Sequence, residues 1–490
     1  MGKRFFIAVD IGTSALKVCV FDFQGNVHHT AKREYPTVSP RPGYAEQNPE
    51  DIFAAFVDAL KEVTASFPQN TFEAVTFDTM LHSFLLVDKD GVLLTPLLNW
   101  MDTRSFQEVE AFRKIYEEER LYEYTAAPLH TIYHPPRILW FKKHAQDLLA
   151  KASKVLSIKD WMLWRLTGEL FCDYSTASGT GLLELEKKTW SERICQLLGI
   201  PLELLPPLCE PELSLPLKNQ DFAFEVGLPP GIPVVWGGGD GPFANLGEGC
   251  FREGEMVVSV GSSGAARMCA QRPVFDPQRQ SWCYYLASGI WVGGGAINNG
   301  GIVFSWMRDL VKEEEVTIDP FGRRPLFLPF LTGERSPYWD PYARGILFGL
   351  SFFHTPQEFL QAAYEGVAFS VRAVFEVLRR VMGDPKKVVI GGGFALSQTG
   401  RRVLCNVLGV PVAVSTYPSS SAKGAFILAL KALGAISSFE ELPSDFFPLE
   451  ETLFPEKEAS LFYAELFQLW ERLYKVNASL FRECIRLGLA

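Results

Sequence analysis

An α/β fold with two related halves and a cleft between them is predicted by two segments of this 490-residue sequence. Residues 5–27 contain an apolar strand, a polar turn at residues 12–14 and a second apolar strand. Residues 256–268 repeat the strand and the turn, with one glycine and two serines at 261–263. Because the same local plan recurs about 250 residues later, the sequence predicts two halves of similar construction that share one ligand site.

Both turns have the composition of a phosphate-binding loop. Gly12 lets the backbone approach an anion, and successive amide groups form a concave anion site. The hydroxyls of Thr13 and Ser14 can point at the same spot. Asp10 interrupts the apolar strand where a carboxylate is costly to bury, so it is placed to hold a metal ion that the phosphate brings with it. A single turn of this kind is compatible with an ordinary hairpin, but its repetition favours a nucleotide site.

Apolar periodicity and turn residues define the remaining elements in chain order. Gln24, Gly25 and Asn26 predict a hairpin after the second strand. Asn48 as a cap and Pro49 in the first turn begin a helix, whose apolar residues recur at helical spacing. The later predicted elements are two strands with a hairpin at 90–91, a helix-rich region at 106–170, a strand ending at 237–239, strand pairs within 256–268 and 282–293, helices near 297–312 and 356–382, a buried strand ending at 391–393, a helix from about 422 and an amphipathic helix at about 456–485.

A carboxylate that follows a buried strand is the candidate catalytic group. The strand at 233–238 is apolar and ends in glycines that open space around it. Asp240 follows, and Pro242 suits the first turn of a helix. In an open α/β sheet this position lies in the cleft, where a carboxylate can accept a proton from a hydroxyl that attacks a γ-phosphate. The alternative is that Asp240 only caps the helix.

Composition and charge narrow the class of protein. The chain is long enough for two or three domains with separate cores, and 47% apolar residues describe an ordinary globular protein. A net charge of -10 argues against broad nucleic-acid binding. The nine cysteines are scattered, with no CxxC pair, which favours a reducing, cytoplasmic location. We expect no signal peptide, because the N-terminus runs into a core strand, and no membrane span, because no apolar run approaches about 20 residues.

Five motifs occur along the chain, at DIGTSALK (10–17), GGGDGPFANLG (237–247), VGSSGAAR (260–267), LTGERSPYWDPYARG (331–345) and GGGFALS (391–397). Together they resemble the FGGY carbohydrate kinases, of the actin-like, ribonuclease-H-like ATPase superfamily, over nearly the whole chain. Four further segments are most similar to the gluconate kinase branch: LHSFLLVD (81–88), NWMDTRS (99–105), STASGTGLLEL (175–185) and INNGGIVFSW (297–306). The resemblance implies two ribonuclease-H-like domains with a cleft between them, of which residues 1–245 bind the sugar and residues 246–490 bind ATP.

The resemblance also implies roles for single residues around ATP and Mg²⁺. Asp240 is the general base, and Asp10 binds Mg²⁺, through water. The residues that contact the β- and γ-phosphates are Gly12, Thr13, Ser14, Lys17, Gly261, Ser262 and Ser263. Lys17 is also compatible with a solvated strand residue. The adenosine site lies at Gly391, Gly392 and Gly393, which are equally suited to a tight strand-to-helix turn.

The substrate-binding residues implied in the same way are His82, Trp100, Asp102, Arg104, His130, Arg137 and Asn298. The residues at 100, 102 and 104 alternate, so their side chains share one face if the segment is extended. A sugar acid needs a cationic partner, and Arg104 and Arg137 are the candidates; Arg137 stands where relatives have Lys. Each histidine and Trp100 is also compatible with a structural role in the core, and Asn298 with a helix cap. Glu334 and Arg335 are interpreted as a structural ion pair near the cleft.

The predicted reaction is the transfer of phosphate from ATP to D-gluconate, giving 6-phosphogluconate. One alternative is the same chemistry on xylulose, another ketose or glycerol, because few pocket residues set the substrate. The other is a non-catalytic, actin-like protein that binds nucleotide, against which Asp240 argues. The terminal helix is interpreted as a packing element, with a partner surface as the alternative, and a homodimer is compatible with the sequence.

Overall fold

The computed structural model describes residues 4–489, so the outer ends of the predicted domains, residues 1 and 490, lie outside it. The strands of the first half are β1 (Phe5–Ile11), β2 (Ala15–Asp22), β3 (Val27–Glu34), β4 (Glu46–Gln47), β5 (Phe72–Thr79), β6 (Leu85–Val87), β7 (Leu97–Leu98), β8 (Lys154–Leu156), β9 (Cys172–Asp173), β10 (Leu183–Glu184), β11 (Thr189–Trp190), β12 (Leu208–Cys209), β13 (Ser214–Pro216) and β14 (Pro233–Gly239). Its helices are α1 (Pro49–Thr64), α2 (Phe106–Glu118), α3 (Tyr122–Thr125), α4 (His134–His144), α5 (Gln146–Lys151), α6 (Ile158–Thr167), α7 (Tyr174–Ser178), α8 (Glu192–Leu198), α9 (Gln220–Glu225) and α10 (Asp240–Gly247).

The second half continues the alternation of strands and helices. Its strands are β15 (Glu255–Val260), β16 (Gly264–Ala270), β17 (Trp282–Ala287), β18 (Ile290–Ile297), β19 (Leu326–Leu328), β20 (Ile346–Phe348), β21 (Lys387–Gly391), β22 (Val412–Val414) and β23 (Glu451–Leu453). Its helices are α11 (Gly301–Val311), α12 (Pro356–Met382), α13 (Gly393–Leu396), α14 (Gln398–Leu408), α15 (Ser420–Ala432) and α16 (Lys457–Arg486). Short 3-10 helices lie at Gln69–Thr71, Leu202–Leu204, Phe439–Glu441 and Ser444–Phe446.

The two main sheets are built on one plan, as the repeated turn predicts. The first has the order β13-β14-β5-β1-β2-β3, with β1 antiparallel to β2 and parallel to β5. The second has the order β17-β18-β16-β15-β21-β22-β23, with β15 antiparallel to β16 and parallel to β21. In sheet order, strands β3-β2-β1-β5-β14-β13 of the first half therefore correspond to strands β18-β16-β15-β21-β22-β23 of the second. The predicted α/β class with two ribonuclease-H-like domains is confirmed.

Local signals begin the first helix where the sequence predicts. The side chain of Asn48 accepts a hydrogen bond from the Glu50 amide, which satisfies one of the free donors of the first turn. Ile52, Phe56 and Leu60 are buried against the first sheet. Because one face of this helix covers β2 and β3, the antiparallel side of the sheet is shielded from water.

Two counterpart helices join the halves. α10 follows β14 in the first half and α15 follows β22 in the second, and the two helices pack closely against each other. A Cβ atom added to Gly247 would lie 1.8 Å from the Ser420 carbonyl oxygen, and one added to Gly424 would lie 2.0 Å from the Phe243 carbonyl oxygen. Only glycine permits this approach. The predicted domain boundary near residue 245 falls within α10.

The terminal helix packs against the second half, which confirms its interpretation as a packing element. Tyr463 and Trp470 of α16 are buried in the core around α12. The Trp470 indole donates to the Phe327 carbonyl oxygen at 2.8 Å. Within residues 4–489, no helix combines the length and the apolar character that a membrane span requires.

Candidate active site

A cavity of about 690 Å³ lies between the two halves. Its walls come from the segments that follow β7 and precede α4 in the first half, and from residues 262–344 and Ile485 in the second. Five residues predicted from the sequence line it: Trp100, His130, Ser262, Ser263 and Asn298. A cavity with walls from both halves is the expected place for a substrate that meets a phosphate turn.

The first phosphate turn is held in place by its carbonyl oxygens. The carbonyl oxygens of Gly12, Thr13 and Ser14 accept hydrogen bonds from Tyr35 Oη, Gln47 Nε2 and the Tyr35 amide. Within the described chain, the Thr13 and Ser14 amides have no hydrogen-bond acceptor. Fixed carbonyls and free amides are the arrangement that an anion requires, so the turn is suited to phosphate.

The second turn has the same construction and separates two cavities. Its carbonyl oxygens, at residues 261–263, accept from its own Gly261 amide and from the first turn of α11. Ser262 and Ser263 line the large cavity, while Gly261 lines a second cavity of about 260 Å³ in the second half. This turn therefore lies where a ligand in the large cavity would meet a ligand in the second cavity.

The second cavity has the walls of a site for a flat ring. Phe304 and Tyr364 are stacked with ring centroids 4.5 Å apart, and Phe394 lies 5.3 Å from Phe304. Of the three glycines predicted to bind adenosine, Gly393 lines this cavity. Gly392 has φ 78°, and an added Cβ would lie 2.8 Å from the Val260 carbonyl oxygen, so it shapes the turn.

Asp240 is the first residue of α10, and the helix cap is Gly239. The Asp240 carboxylate accepts the Gly241 amide at 2.8 Å. Burial, and then the charge of Asp10, raise the pKa of Asp240 to about 6. Asp240 does not line the 690 Å³ cavity, but a half-buried carboxylate with a pKa near neutrality has the properties of a general base.

Three carboxylates meet at the carboxyl ends of the parallel strands. Asp10 and Asp78 are partners across β1 and β5, and Gly238, two residues before Asp240, pairs with Asp78 from β14. Asp78 is fully buried, and neither of its oxygens has a hydrogen-bond partner in the described chain. Burial, then the charges of Asp10 and Asp240, raise its pKa well above the ordinary value. Sequence reasoning missed Asp78, although it interrupts an apolar strand as Asp10 does.

The chemistry of this edge fits a divalent cation. Carboxylate oxygens are the ligands that Mg²⁺ prefers, and both oxygens of Asp78 lack a hydrogen-bond partner within the described chain. Among the described residues, the cation paired with Asp10 is Lys17, whose Nζ lies 3.7 Å from Asp10 Oδ2. Lys17 and Asp10 are partners across β2 and β1, so both side chains reach the phosphate side of the sheet together.

Trp100 connects the large cavity to the first phosphate turn. Its indole Nε1 donates to Thr13 Oγ1 at 2.8 Å. His130 packs edge-on against Trp339, with centroids 5.4 Å apart, and burial lowers the pKa of His130 to about 3. The cavity wall is therefore aromatic and holds a neutral imidazole, which suits the apolar faces and the hydroxyls of a sugar.

His82 lies beside the cavity but does not line it. It has φ 66°, an uncommon conformation for a residue other than glycine. Its Nδ1 lies 2.7 Å from the Gly179 carbonyl oxygen, and burial lowers its pKa to about 3, so the neutral ring donates there. Its backbone carbonyl accepts from Arg137.

The segment around Trp100 is a turn, so the expected alternation of side chains does not occur. The side chains of Asn99 and Asp102 accept the amides of Met101 and Arg104, which curls the chain. Asp102 is fully buried and paired with Arg104 at 2.8 Å. Arg104 also pairs with Glu46 at 2.6 Å and stacks on Tyr44, so neither Asp102 nor Arg104 lines the cavity.

Arg137 is also held inside the first half. It is 0% exposed, and its guanidinium donates to the carbonyl oxygens of Thr131, His82 and Asn99. Its position behind the cavity wall explains why the segments of His82 and Asn99 are fixed relative to each other. The structure thus places both predicted cationic partners of a sugar acid outside the cavity.

Asn298, Glu334 and Arg335 form one hydrogen-bonded group at the cavity. The Glu334 carboxylate accepts the amides of Asn298 and Arg335 at 2.5 and 2.9 Å. Arg335 Nε donates to Asn298 Oδ1 at 2.7 Å. Within residues 4–489 the two side chains of Glu334 and Arg335 make no ion pair, so the interpretation as an ion pair is wrong. Arg335 instead faces the cavity.

Comparisons with known proteins agree with this geometry. Residues 5–247 match the N-terminal domain of the FGGY family of carbohydrate kinases, and residues 256–433 match its C-terminal domain. The gluconokinase of Bacillus subtilis (strain 168) is 33% identical over 456 residues, covering 89% of each chain. The structure of gluconate kinase from Lactobacillus acidophilus is similar, with TM-score 0.93, 28% identity and coverage of 98% of this chain and 100% of that chain. Ligand-bound xylulose kinase from Lactobacillus acidophilus gives TM-score 0.93 and 28% identity, with 98% and 99% covered.

The chain belongs to the FGGY family of carbohydrate kinases. It is therefore an enzyme that transfers phosphate from ATP to a small-molecule sugar.

Proposed function

We propose that this kinase phosphorylates D-gluconate to 6-phosphogluconate. The observation that carries the proposal is the cavity between the halves, which reaches the second phosphate turn and combines a mainly apolar, aromatic wall with a few polar side chains. The similarity to the gluconokinase of Bacillus subtilis favours gluconate. The first half, residues 1–245, binds the sugar, and the second half, residues 246–490, binds most of ATP.

In the proposed reaction, Asp240 takes the proton of the sugar hydroxyl as that oxygen attacks the γ-phosphate. The amides of Thr13 and Ser14 and the Ser262 and Ser263 hydroxyls donate to the phosphate oxygens from both sides. Phosphoryl transfer depends mainly on such positioning and on neutralised charge. Lys17 adds a positive charge to the first turn, and the adenosine lies near Gly391, Gly392 and Gly393.

Asp10 is proposed to hold Mg²⁺, with water between them. A bound Mg²⁺ would neutralise phosphate charge. The contribution of the chain is to keep Asp10 at the end of β1, where its carboxylate forms an ion pair with Lys17. We also propose that the enzyme works in the cytoplasm, as the scattered cysteines indicate.

The sugar contacts proposed are Trp100, His130 and Asn298, which line the cavity. His82, Asp102, Arg104 and Arg137 act behind this wall, and we propose that they position it. His82 does so through the Gly179 carbonyl group, and Arg137 through the Asn99 carbonyl group. Asp102 and Arg104 do so through the turn that carries Trp100.

An ADP-release assay with Mg²⁺ and ATP tests the proposal. The panel contains gluconate, xylulose, ribulose, fuculose, glycerol and erythritol. Preference for gluconate supports the proposed function. Preference for a neutral sugar contradicts it and favours a ketose kinase, which the equal TM-score of the xylulose kinase keeps as the second candidate. ATP binding without turnover of any sugar would point to a non-catalytic protein.

A further inference from the structure

A buried arginine connects the helix that carries Asp240 to the hairpin that carries the second phosphate turn. Arg267 lies on β16, the strand that leaves this turn, and is 6% exposed. Its Nε donates to Asn245 Oδ1 on α10 at 3.0 Å, and its Nη2 donates to Ser259 Oγ on β15 at 3.0 Å. One guanidinium therefore holds an acceptor on α10 and another on the strand that enters the phosphate turn.

The contact between Arg267 and α10 is made at two points. Asn245 is fully buried, and its Nδ2 donates back to the Arg267 carbonyl oxygen at 3.2 Å. The side chain of Arg267 also passes Gly241, the neighbour of Asp240, because a Cβ atom added to Gly241 would lie 3.8 Å from Arg267 Cδ. Hydrogen bonds between buried groups are stronger than those in water. The helix is therefore held against β16 both beside Asp240 and one turn later.

The guanidinium is close to the proposed base but does not neutralise it. Burial lowers the pKa of Arg267, and the charges of Asp240 and then Glu248 oppose this effect. Among residues 4–489, neither carboxylate forms an ion pair with Arg267. Its side-chain hydrogen bonds go instead to a neutral amide and a neutral hydroxyl, so the Asp240 carboxylate stays available for proton transfer.

The phosphate turn does not depend on Arg267 for its own shape. The strands on either side of the turn are paired in register, from Met256 with Met268 to Val260 with Gly264. The carbonyl oxygens of the turn accept hydrogen bonds from its own Gly261 amide and from the first turn of α11. What Arg267 adds is the connection between this hairpin and α10. Phosphoryl transfer depends on the distance between base, hydroxyl and phosphate, and an error of about 1 Å can cost 10²-fold in rate.

We propose that Arg267 is a positioning residue that sets the distance between Asp240 and the second phosphate turn, so that the base and the phosphate site form one rigid unit. The planar guanidinium reaches Asn245 and Ser259 at once, whereas a lysine ammonium is a single point charge. This inference rests on the proposed function, because it takes Asp240 as the general base. It does not depend on which sugar is the substrate.

The test uses the full chain, ATP, Mg²⁺ and the panel sugar with the highest kcat/KM. We expect Arg267→Gln to lower kcat about 10- to 100-fold, the loss typical of a misplaced catalytic group. The Kd of ATP and of the sugar, measured by calorimetry, should change by less than about twofold, because neither ligand contacts Arg267. Arg267→Lys keeps the charge but not the fork, so its kcat should stay at least about fivefold below that of the wild type.

A double-mutant cycle tests the connection itself. Asn245→Ala removes the acceptor on α10 and should also lower kcat. Combined with Arg267→Gln it should cause little further loss, because both substitutions break the same contact. Losses that multiply in the double variant would overturn the proposal, since the two side chains would then act independently.

Arg324→Gln is the matched control. Arg324 is a buried arginine of the second half that pairs with Glu365 at 2.8 Å and lines neither cavity. Its substitution should lower Tm and leave kcat unchanged. An equal loss of kcat in Arg324→Gln would overturn the proposal, since it would show a general effect of destabilisation.

Three further outcomes would overturn the proposal. Weaker ATP binding in Arg267→Gln would indicate a phosphate contact, and full activity of Arg267→Lys would indicate an effect of charge alone. Normal kcat in Arg267→Gln beside an inactive Asp240→Asn would overturn this inference and leave the proposed base in place. Normal kcat in Asp240→Asn, or no turnover of any panel sugar, would overturn the proposed function together with this inference.

Discussion

The position of Asp240, at the ends of three strands, supports its proposed role as the general base. Burial and the Asp10 carboxylate raise its pKa to about 6, while the Gly241 amide holds its Oδ1 at 2.8 Å. The cap of α10 is Gly239, so the helix does not need the Asp240 side chain for its start. The carboxylate is therefore available for the proton transfer that we propose.

Asp240→Asn should lower kcat by about 10²- to 10⁴-fold, the usual contribution of a general base. The amide has nearly the same shape but cannot take a proton, so the Kd of ATP should not change. Steady-state kinetics and calorimetry measure the two quantities. Asp221→Asn, on the exposed side of α9, is the control. If Asp240→Asn also loses ATP binding or its native circular dichroism spectrum, Asp240 has a structural role.

The raised pKa of Asp240 also predicts the pH dependence of the reaction. A general base works only when deprotonated, so kcat/KM should be constant above pH 7 and should fall about tenfold per pH unit below about 6. The profile with saturating ATP measures this limb. A profile that stays flat down to pH 5 would mean that another group takes the proton.

Asp78 is expected to make stability depend on pH. Burial and two carboxylates raise its pKa above the ordinary 3.8, so the folded state favours the protonated form. Its stabilising effect is complete below the unfolded pKa and is lost as pH rises through the folded pKa. Asp78→Asn should therefore raise Tm at pH 8 and flatten the fall in Tm between pH 5 and pH 8. Calorimetric Tm values beside those of Asp221→Asn provide the comparison, and a lower Tm at pH 8 would contradict the argument.

At the scale of elements, α10 and α15 form the contact that brings the halves together. Each follows the corresponding parallel strand, so the contact repeats the internal symmetry of the fold. Gly247 and Gly424 let each helix approach the backbone of the other. Packing this close leaves no volume for a methyl group, which makes the contact sensitive to single atoms.

Gly424→Ala should lower Tm although alanine is the better helix former by about 1 kcal/mol. The added Cβ would lie 2.0 Å from the Phe243 carbonyl oxygen, so the helices must separate, and overpacking of this kind costs about 1–3 kcal/mol. Ala432→Ser adds one heavy atom at a half-buried position of the same helix and should have little effect. Thermal unfolding measures the Tm of both variants. A Tm raised by Gly424→Ala would show that the gain in helix propensity is larger than the cost of the steric clash.

Local elements were predictable because their signals are local. The cap at Asn48, the hairpin at Gly25 and the strand that ends before Asp240 all follow from neighbouring residues, and each is confirmed. The directions of Asp102 and Arg104 were not predictable, because they depend on side-chain-to-amide bonds that curl an apparently extended segment.

The exposure of Arg335 to the cavity depends on contacts between the halves. Its guanidinium lies over the ring of Trp100, more than 200 positions earlier in the chain, and spacing in the sequence carries no information on that contact. The same limit applies to Asp78, whose neighbours Asp10 and Asp240 belong to other strands. The sequence therefore predicted the repeated strand-turn-strand units, whereas the contacts across the cleft depend on the fold.

At the scale of the whole molecule, the halves share a hydrophobic cluster on the side of α15. Phe426 of α15 stacks on Phe21 of β2 with centroids 4.7 Å apart and also contacts Phe6 of β1. The cluster includes buried residues of both halves. The second half therefore covers an apolar face of the first sheet, and the cavity lies in the cleft that this junction leaves open.

The shared cluster predicts that the halves do not fold independently. A chain of residues 1–254 would expose the apolar face that Phe21 and Phe6 present to α15, so it should aggregate when expressed alone. Co-expression with residues 255–490 should return it to the soluble fraction, because the second chain supplies Phe426. The full chain should unfold in one calorimetric transition. A soluble, monomeric first half with a cooperative transition of its own would show that the shared cluster is an interface between separately stable domains, which would leave the cleft free to open by rotation about α10 and α15.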